Sequence, residues 1–153
     1  MIKSLGFITK FMNNDHAYLH DLWVEFSNEK QNPIHLKKLF RKYKRHLLLH
    51  IKLEDKFLFP RLNKYLGIDK KSSLTNIIDQ DHRKIEKLLA LTEKAVLSGD
   101  LIKITTTGSH LDCALKKHQE REAEIQYPVS DAFVGQDEWE QMLDKVYGKI
   151  LAK

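Results

Sequence analysis

Two segments of this chain place a histidine four residues ahead of a glutamate and an aromatic–proline pair shortly after it. They are His50 and Glu54 before Phe59-Pro60, and His118 and Glu122 before Tyr127-Pro128. The copies lie 68 residues apart, and each has an Asp-His pair upstream, Asp15-His16 and Asp81-His82, themselves 66 residues apart. Residues four apart share one face of a helix, with Cβ atoms about 5–6 Å from each other, so each histidine points with its glutamate. Helices packed together through these segments would send four imidazoles and two carboxylates into one interior. Burying a carboxylate without compensation is costly, and two facing each other are worse, so cations are expected among them. Imidazole nitrogen with carboxylate oxygen suits iron, manganese or zinc, and the lack of thiolate disfavours copper(I) and iron–sulfur clusters. Two carboxylates near a twofold centre can each bridge two ions, which in such sites stand about 3.5–4 Å apart. If both ions are six-coordinate and share one bridging oxygen, these six side chains leave open positions for a small ligand such as O2, peroxide or nitric oxide. A single histidine on an apolar face, or one His-x3-Glu, is more often packing or a surface pair. The doubling of the whole pattern argues against both.

Positioning these groups takes helices. A first helix is expected from about Asn14 to Asn28, with Asn13 or Asn14 as N-cap and Leu19, Trp23 and Phe26 on the side of His16. Asn32-Pro33 opens a second, over about 34–59, with Leu36, Leu39, Phe40, Tyr43 and Leu47 as its apolar stripe. It should end or kink at Pro60, and the segment to Gly67 then packs Leu62, Tyr65 and Leu66 back. Ser72-Ser73 cap a third helix with Leu74, Ile77, Ile78, Ile85, Leu88 and Leu89 inside, ending near Ser98-Gly99-Asp100. The fourth spans about Leu101 to Gln126 with Leu111, Ala114, Leu115 and Ile125 inside, its start weakened by the run from Thr105 to Gly108. Trp139, Met142, Leu143, Val146 and Ile150 predict a short fifth helix. No stretch alternates with period two, so no strand is expected. The reading is all-α: an up-down-up-down four-helix bundle over about 12–128 with a C-terminal helix over about 136–151, in a single domain of 1–153.

Composition agrees with a globular domain, at 42% hydrophobic and 31% charged residues. No apolar run approaches the roughly 20 residues of a membrane span, and Met1 to Lys10 lacks the features of a signal peptide; a cytoplasmic location is expected. Cys113 is the only cysteine, which excludes an internal disulfide and a cysteine-based zinc site and reads as a small core residue. The net charge of +5 is concentrated in Lys37 to Arg45, whose apolar members fall at helical spacing. That run reads as the solvated face of an amphipathic helix, and neither a nucleic-acid nor a membrane partner is expected. No nucleophile triad, phosphate-cradling loop or dinucleotide fingerprint is present.

From His16 to Pro128 these residues resemble the hemerythrin-like, or HHE cation-binding, family. The resemblance implies a four-helix bundle holding two non-haem iron ions, bridged by carboxylates and an oxo or hydroxo group. The ligands would be His16, His50, Glu54, His82, His118 and Glu122, the glutamates bridging. Oxygen carriers of the family have a second histidine four residues after the third-helix histidine; here that position is Glu86, a candidate seventh ligand that would close one open position and favour the ferric state. Their fourth-helix acid also comes five residues after its histidine rather than four. Both departures point to sensing, iron handling or nitric-oxide chemistry rather than O2 transport. The branch that repairs iron centres carries an N-terminal cysteine-pair domain, not expected here. His20 is read as a group behind the ligands, with ligation as the alternative, and His46 and His110 as packing. Asp15 and Asp81 are read as caps or as orienting groups for neighbouring imidazoles, Asp55 as facing water, and Tyr43 and Tyr127 as hydrogen-bond donors within reach. The function expected is therefore binding of O2, NO or peroxide for sensing, iron handling or oxidative and nitrosative defence. Turnover of peroxide or nitric oxide at the same site, or an adaptor bundle with structural metal, are the alternatives.

Overall fold

The computed structural model describes residues 5–69 and 75–148, and among them every regular element is helical. Asn32 turns the chain as its sequence context demands: its side chain accepts from the amides of Ile34 and His35, each at 3.1 Å, while Pro33 occupies the first helical turn. Helix α1 (Phe7–Asn28) enters that turn and α2 (Pro33–Leu53) leaves it. Helix α4 (Thr75–Ser98) and α5 (Leu101–Arg121) are joined as closely, with Asp100 capping α5 through the Lys103 amide at 3.1 Å. The run from Thr105 to Gly108 does not delay α5. Its glycine gives the indole of Trp23 room: a Cβ on Gly108 would lie 3.2 Å from that ring, which would have to shift by a few tenths of an ångström. Ser72, Ser73, Leu74 and Ile150 lie outside the described residues.

Helix α1 starts at Phe7, a full two turns before the expected asparagines, because its cap is tertiary. Gly6 offers no side chain; instead the Asp131 carboxylate accepts from the amides of Ile8 at 2.8 Å and Thr9 at 3.2 Å, satisfying donors that the helix leaves free and complementing its dipole. A Cβ on Gly6 would fall 2.1 Å from the Asp131 carboxyl carbon, so a larger residue there would have to displace the capping carboxylate.

The two prolines neither end nor break their helices. Ahead of each stands a π-turn, π1 (Glu54–Leu58) before α3 (Phe59–Leu66) and π2 (Glu122–Gln126) before α6 (Tyr127–Phe133). The Phe59 amide donates to the Glu54 carbonyl, and the Tyr127 amide to the Glu122 carbonyl, a step of five residues. A proline ring would clash with the carbonyl four residues earlier in an α-helix; widening the turn by one residue relieves that clash and lets the helix continue. The inserted residue also rotates the helical turns beyond it. Leu58, Phe59, Gln126 and Tyr127 turn inward, and Ile125, expected inside, is 44% exposed. Ile77 is likewise exposed, since Ile78, Ile85 and Leu89 take the inward positions of α4. Tyr65 is exposed and donates to Glu138, and Cys113 is exposed rather than core.

Helix α4 packs along α5 and α1 along α2, with α6 against α1 and α7 (Gln136–Tyr147) against α2. Two apolar clusters result. One gathers Leu19, Phe26, Phe40, Tyr43, Leu47, Ile85, Leu111 and Leu115. The other gathers Ile8, Met12, Leu53, Leu58, Ile78, Tyr127, Trp139 and Met142. On each long helix the histidine lies between a residue of one cluster and a residue of the other: His16 between Met12 and Leu19, His50 between Leu47 and Leu53, His82 between Ile78 and Ile85, His118 between Leu115 and Tyr127. Lys37, Lys38, Arg41, Lys42 and Arg45 are all exposed on α2. No helix among the described residues is long and apolar enough to cross a membrane.

Replacing Asp131 by alanine removes the cap of α1 without touching the interior histidines. The expected cost is about 0.5–2 kcal/mol, the range for a lost N-cap, read as a lower urea midpoint with an unchanged slope.

Candidate metal centre

Six of the seven candidate ligands converge. The donor atoms of Glu54, His82, His118 and Glu122, all four buried, lie within 4.8 Å of one another, and so do those of His16, His50 and Glu122. Glu122 belongs to both groups. Its Oε1 stands 2.9 Å from His118 Nε2 and 3.6 Å from His16 Nε2, while Glu54 Oε1 stands 3.2 Å from His50 Nε2 and 3.4 Å from His82 Nε2. The His82 and His118 Nε2 atoms face each other at 3.0 Å.

Aspartates fix the imidazoles from behind. Asp15 Oδ2 lies 2.5 Å from His50 Nδ1, Asp55 Oδ1 lies 2.6 Å from His82 Nδ1, and Asp81 Oδ2 lies 3.3 Å from His118 Nδ1. An ionised carboxylate only accepts, so each of these rings carries its hydrogen on Nδ1 and turns Nε2 toward the centre. This is the carboxylate–histidine arrangement that orients metal-binding imidazoles. Each aspartate has a cationic or protonatable partner in turn: His46 Nε2 at 2.6 Å from Asp15, Arg83 on Asp55, and Arg121 Nη1 at 2.8 Å from Asp81. Burial opposes ionisation of Asp15, yet its bonds from His46 and His50 hold the carboxyl well below the usual carboxylate range.

The centre is short of positive charge. Glu54 Oε1 and both oxygens of Glu122 are buried with no hydrogen-bond partner. Burial alone would depress the imidazoles, but the carboxylates win: His50 is raised well above its ordinary value by Glu54 and Asp15, His82 is pushed up to about 10 by Asp55 and Glu54, and His118 is raised by Glu122. Burial would likewise raise Glu54, and His50 instead holds it well below the carboxylate range. With their Nε2 atoms 3.0 Å apart and both Nδ1 atoms committed to aspartates, His82 and His118 share at most one proton between them. Protons and a metal ion therefore compete for the same inward-facing atoms. Donors about 2.1 Å from an octahedral ion stand about 3.0 Å apart along an edge, close to most of the separations here. The cluster has the donor set to hold a metal ion.

Glu86 does not join it. Its carboxylate is held by Arg83 Nη1 at 2.9 Å on the outer side of α4, because Arg83, one turn away, draws it toward the surface ion pair with Asp55. His20 is exposed rather than behind the ligands, and His110 is exposed rather than packed. His46 is more than packing, since it bonds Asp15 and meets the rings of Tyr18 and Tyr147. Asp15 and Asp81 orient imidazoles on the neighbouring helix, not the adjacent one in sequence. Asp55, expected in water, bonds His82 from within the π-turn that begins at Glu54, and nothing in the apolar spacing of α2 signals it. Tyr43 packs with Trp23 and Phe40, while the buried Tyr127 hydroxyl reaches the cluster.

No family model, curated protein or solved structure matches this chain.

Without metal, the stability carried by His82 is whole below its ordinary value of 6.5 and is lost as pH rises toward about 10. The metal-free protein should therefore show a falling melting temperature over that range, whereas metal, competing with protons, should stabilise it more as pH rises; parallel slopes in the two forms would contradict the competition. Asp55→Asn or Asp81→Asn, which lets the ring hydrogen move to the inner nitrogen, should weaken metal binding about 10- to 100-fold in a chelator titration.

Proposed function

We propose that this chain is a hemerythrin-like four-helix bundle that holds two iron ions and binds O2, nitric oxide or peroxide beside them. The observation that carries the reading is the sharing of Glu122 by two groups of inward-turned donors, with three buried carboxylate oxygens that have no hydrogen-bond partner while the inner imidazole nitrogens are unprotonated. One group can serve an ion through His82, His118 and Glu54, the other through His16 and His50, and Glu122 can reach both. Iron, rather than the manganese or zinc that the same donors suit, rests on the resemblance of the doubled His-x3-Glu pattern to the hemerythrin-like family. When bound, such an ion pair supplies electrons to, or accepts them from, a small ligand at a free position. The chain's part is to hold three of the four imidazoles by their outer nitrogens, to seat the site between two apolar clusters, and to engage Glu86 through Arg83. Sensing, iron handling and oxidative or nitrosative defence all fit a site of this kind.

The full chain, expressed in iron-supplemented cells or reconstituted with ferrous iron and then exposed to air, should carry two irons. It should show near-ultraviolet absorption that shifts on adding azide. Glu122→Ala should lose both ions, because both groups share that side chain. Wild-type protein with well under two irons, or two irons retained in Glu122→Ala, would overturn the reading. Continuous consumption of peroxide or nitric oxide, rather than one stoichiometric event, would mark an enzyme instead of a binder.

A further inference from the structure

The two donor groups are unequal. One brings four buried side chains to a point, and the other brings three. Into the poorer group projects Tyr127, whose ring is fully buried and whose hydroxyl oxygen lies 3.0 Å from His16 Nε2, 3.4 Å from His50 Nε2 and 2.9 Å from Glu54 Oε2. Those are the separations the histidines and glutamates keep from one another, 2.9 to 3.6 Å, so by spacing the phenol oxygen is a member of the set. Its position is built in. Tyr127 comes directly after π2, and its amide is bonded to the carbonyl of Glu122, so the same turn of backbone aims both side chains. The matching residue of the first copy is Phe59, buried in an apolar cluster and lacking a hydroxyl. The doubled motif therefore supplies one phenol for two ion positions.

Resting on the di-iron reading above, we propose that the Tyr127 phenol oxygen is a further protein ligand, taken by the ion that His16 and His50 hold. Each ion would then have four side-chain donors, differing in kind because one set includes a phenolate. In the metal-free protein burial, Glu122 and Glu54 keep the phenol protonated and donating to Glu54. A cation among the same atoms reverses the local preference, and the proton leaves to solvent as the ion takes its place.

A phenolate bound to ferric iron absorbs in the visible by charge transfer, and excitation into that band enhances tyrosine ring vibrations in the resonance Raman spectrum; imidazole and carboxylate ligands give neither signal. The full chain loaded with ferric iron is expected to show both. Tyr127→Phe should lose the visible band entirely while still binding iron, and Tyr147→Phe, whose ring lies against His46, should keep it. Wild-type protein labelled with ring-deuterated tyrosine should show the vibrations shifted, a reading that does not depend on any variant folding. Wild-type protein that carries two irons without the band, or Tyr127→Phe protein that retains it, overturns the ligand assignment and leaves the di-iron reading standing. Wild-type protein that binds no iron overturns both.

Discussion

Glu54 and Glu122 are wholly buried and face inward-turned imidazole nitrogens, and the rest of the molecule is arranged around neutralising them. A buried carboxylate is stable only with a positive partner and satisfied oxygens. Without metal, protons on His50 and on the His82–His118 pair meet part of that need. Without such protons, Glu54 Oε1 and both oxygens of Glu122 have no hydrogen-bond partner. A divalent or trivalent cation answers the same need more fully, because it brings charge to all the donors at once rather than to one pair. The two states of the site are thus alternative solutions to one electrostatic problem.

The aspartates make the choice between those solutions sharp. By holding the outer nitrogens of His50, His82 and His118, they keep the inner lone pairs aimed at the centre whether or not a cation is there. Preorganisation of this kind removes the ordering cost at the moment of binding. Arg83 and Arg121 pair with two of these aspartates from the solvent side, where an isolated surface pair would be worth little; here each acts through a buried ring. Arg83 acts twice, since the guanidinium that steadies Asp55 also engages Glu86.

Much of this is legible in the sequence, and the differences share a cause. The His-x3-Glu spacing yields two facing pairs because it is local helix geometry, and Asn32-Pro33 sets its boundary because asparagine caps its own helix. The start of α1 is hidden because its cap, Asp131, comes from the far end of the chain. Ile125 departs from expectation because a steady helical period does not survive a π-turn, where the phase shifts by a residue. The signal for that shift is present as an aromatic–proline pair after each glutamate, which marks a continuation of the helix rather than its end. Glu86 has the spacing of a ligand after His82, and spacing alone does not reveal that a neighbouring arginine engages it.

The repeat also explains why the two halves of the site differ. Asp15 serves His50 and Asp81 serves His118, the same relation once in each copy. Asp55, directly after Glu54, serves His82. The residue directly after Glu122 is Ala123, which has no carboxylate to give to His16. The one imidazole thereby left without an aspartate among the described residues is also the least buried of the four ligand histidines, with 11% of its side chain exposed, and the one whose Nε2 stands 3.0 Å from the Tyr127 hydroxyl. Loss of the outer carboxylate leaves the His16 ring freer to turn, and the phenol on its inner side restores a polar contact that the first copy, with Phe59, does not have. Symmetry is kept where charge must be balanced, at the glutamates, and broken where the site meets its exterior. The His16 imidazole is thus held by fewer polar groups than those of His82 and His118, whose outer nitrogens are both bonded to aspartates.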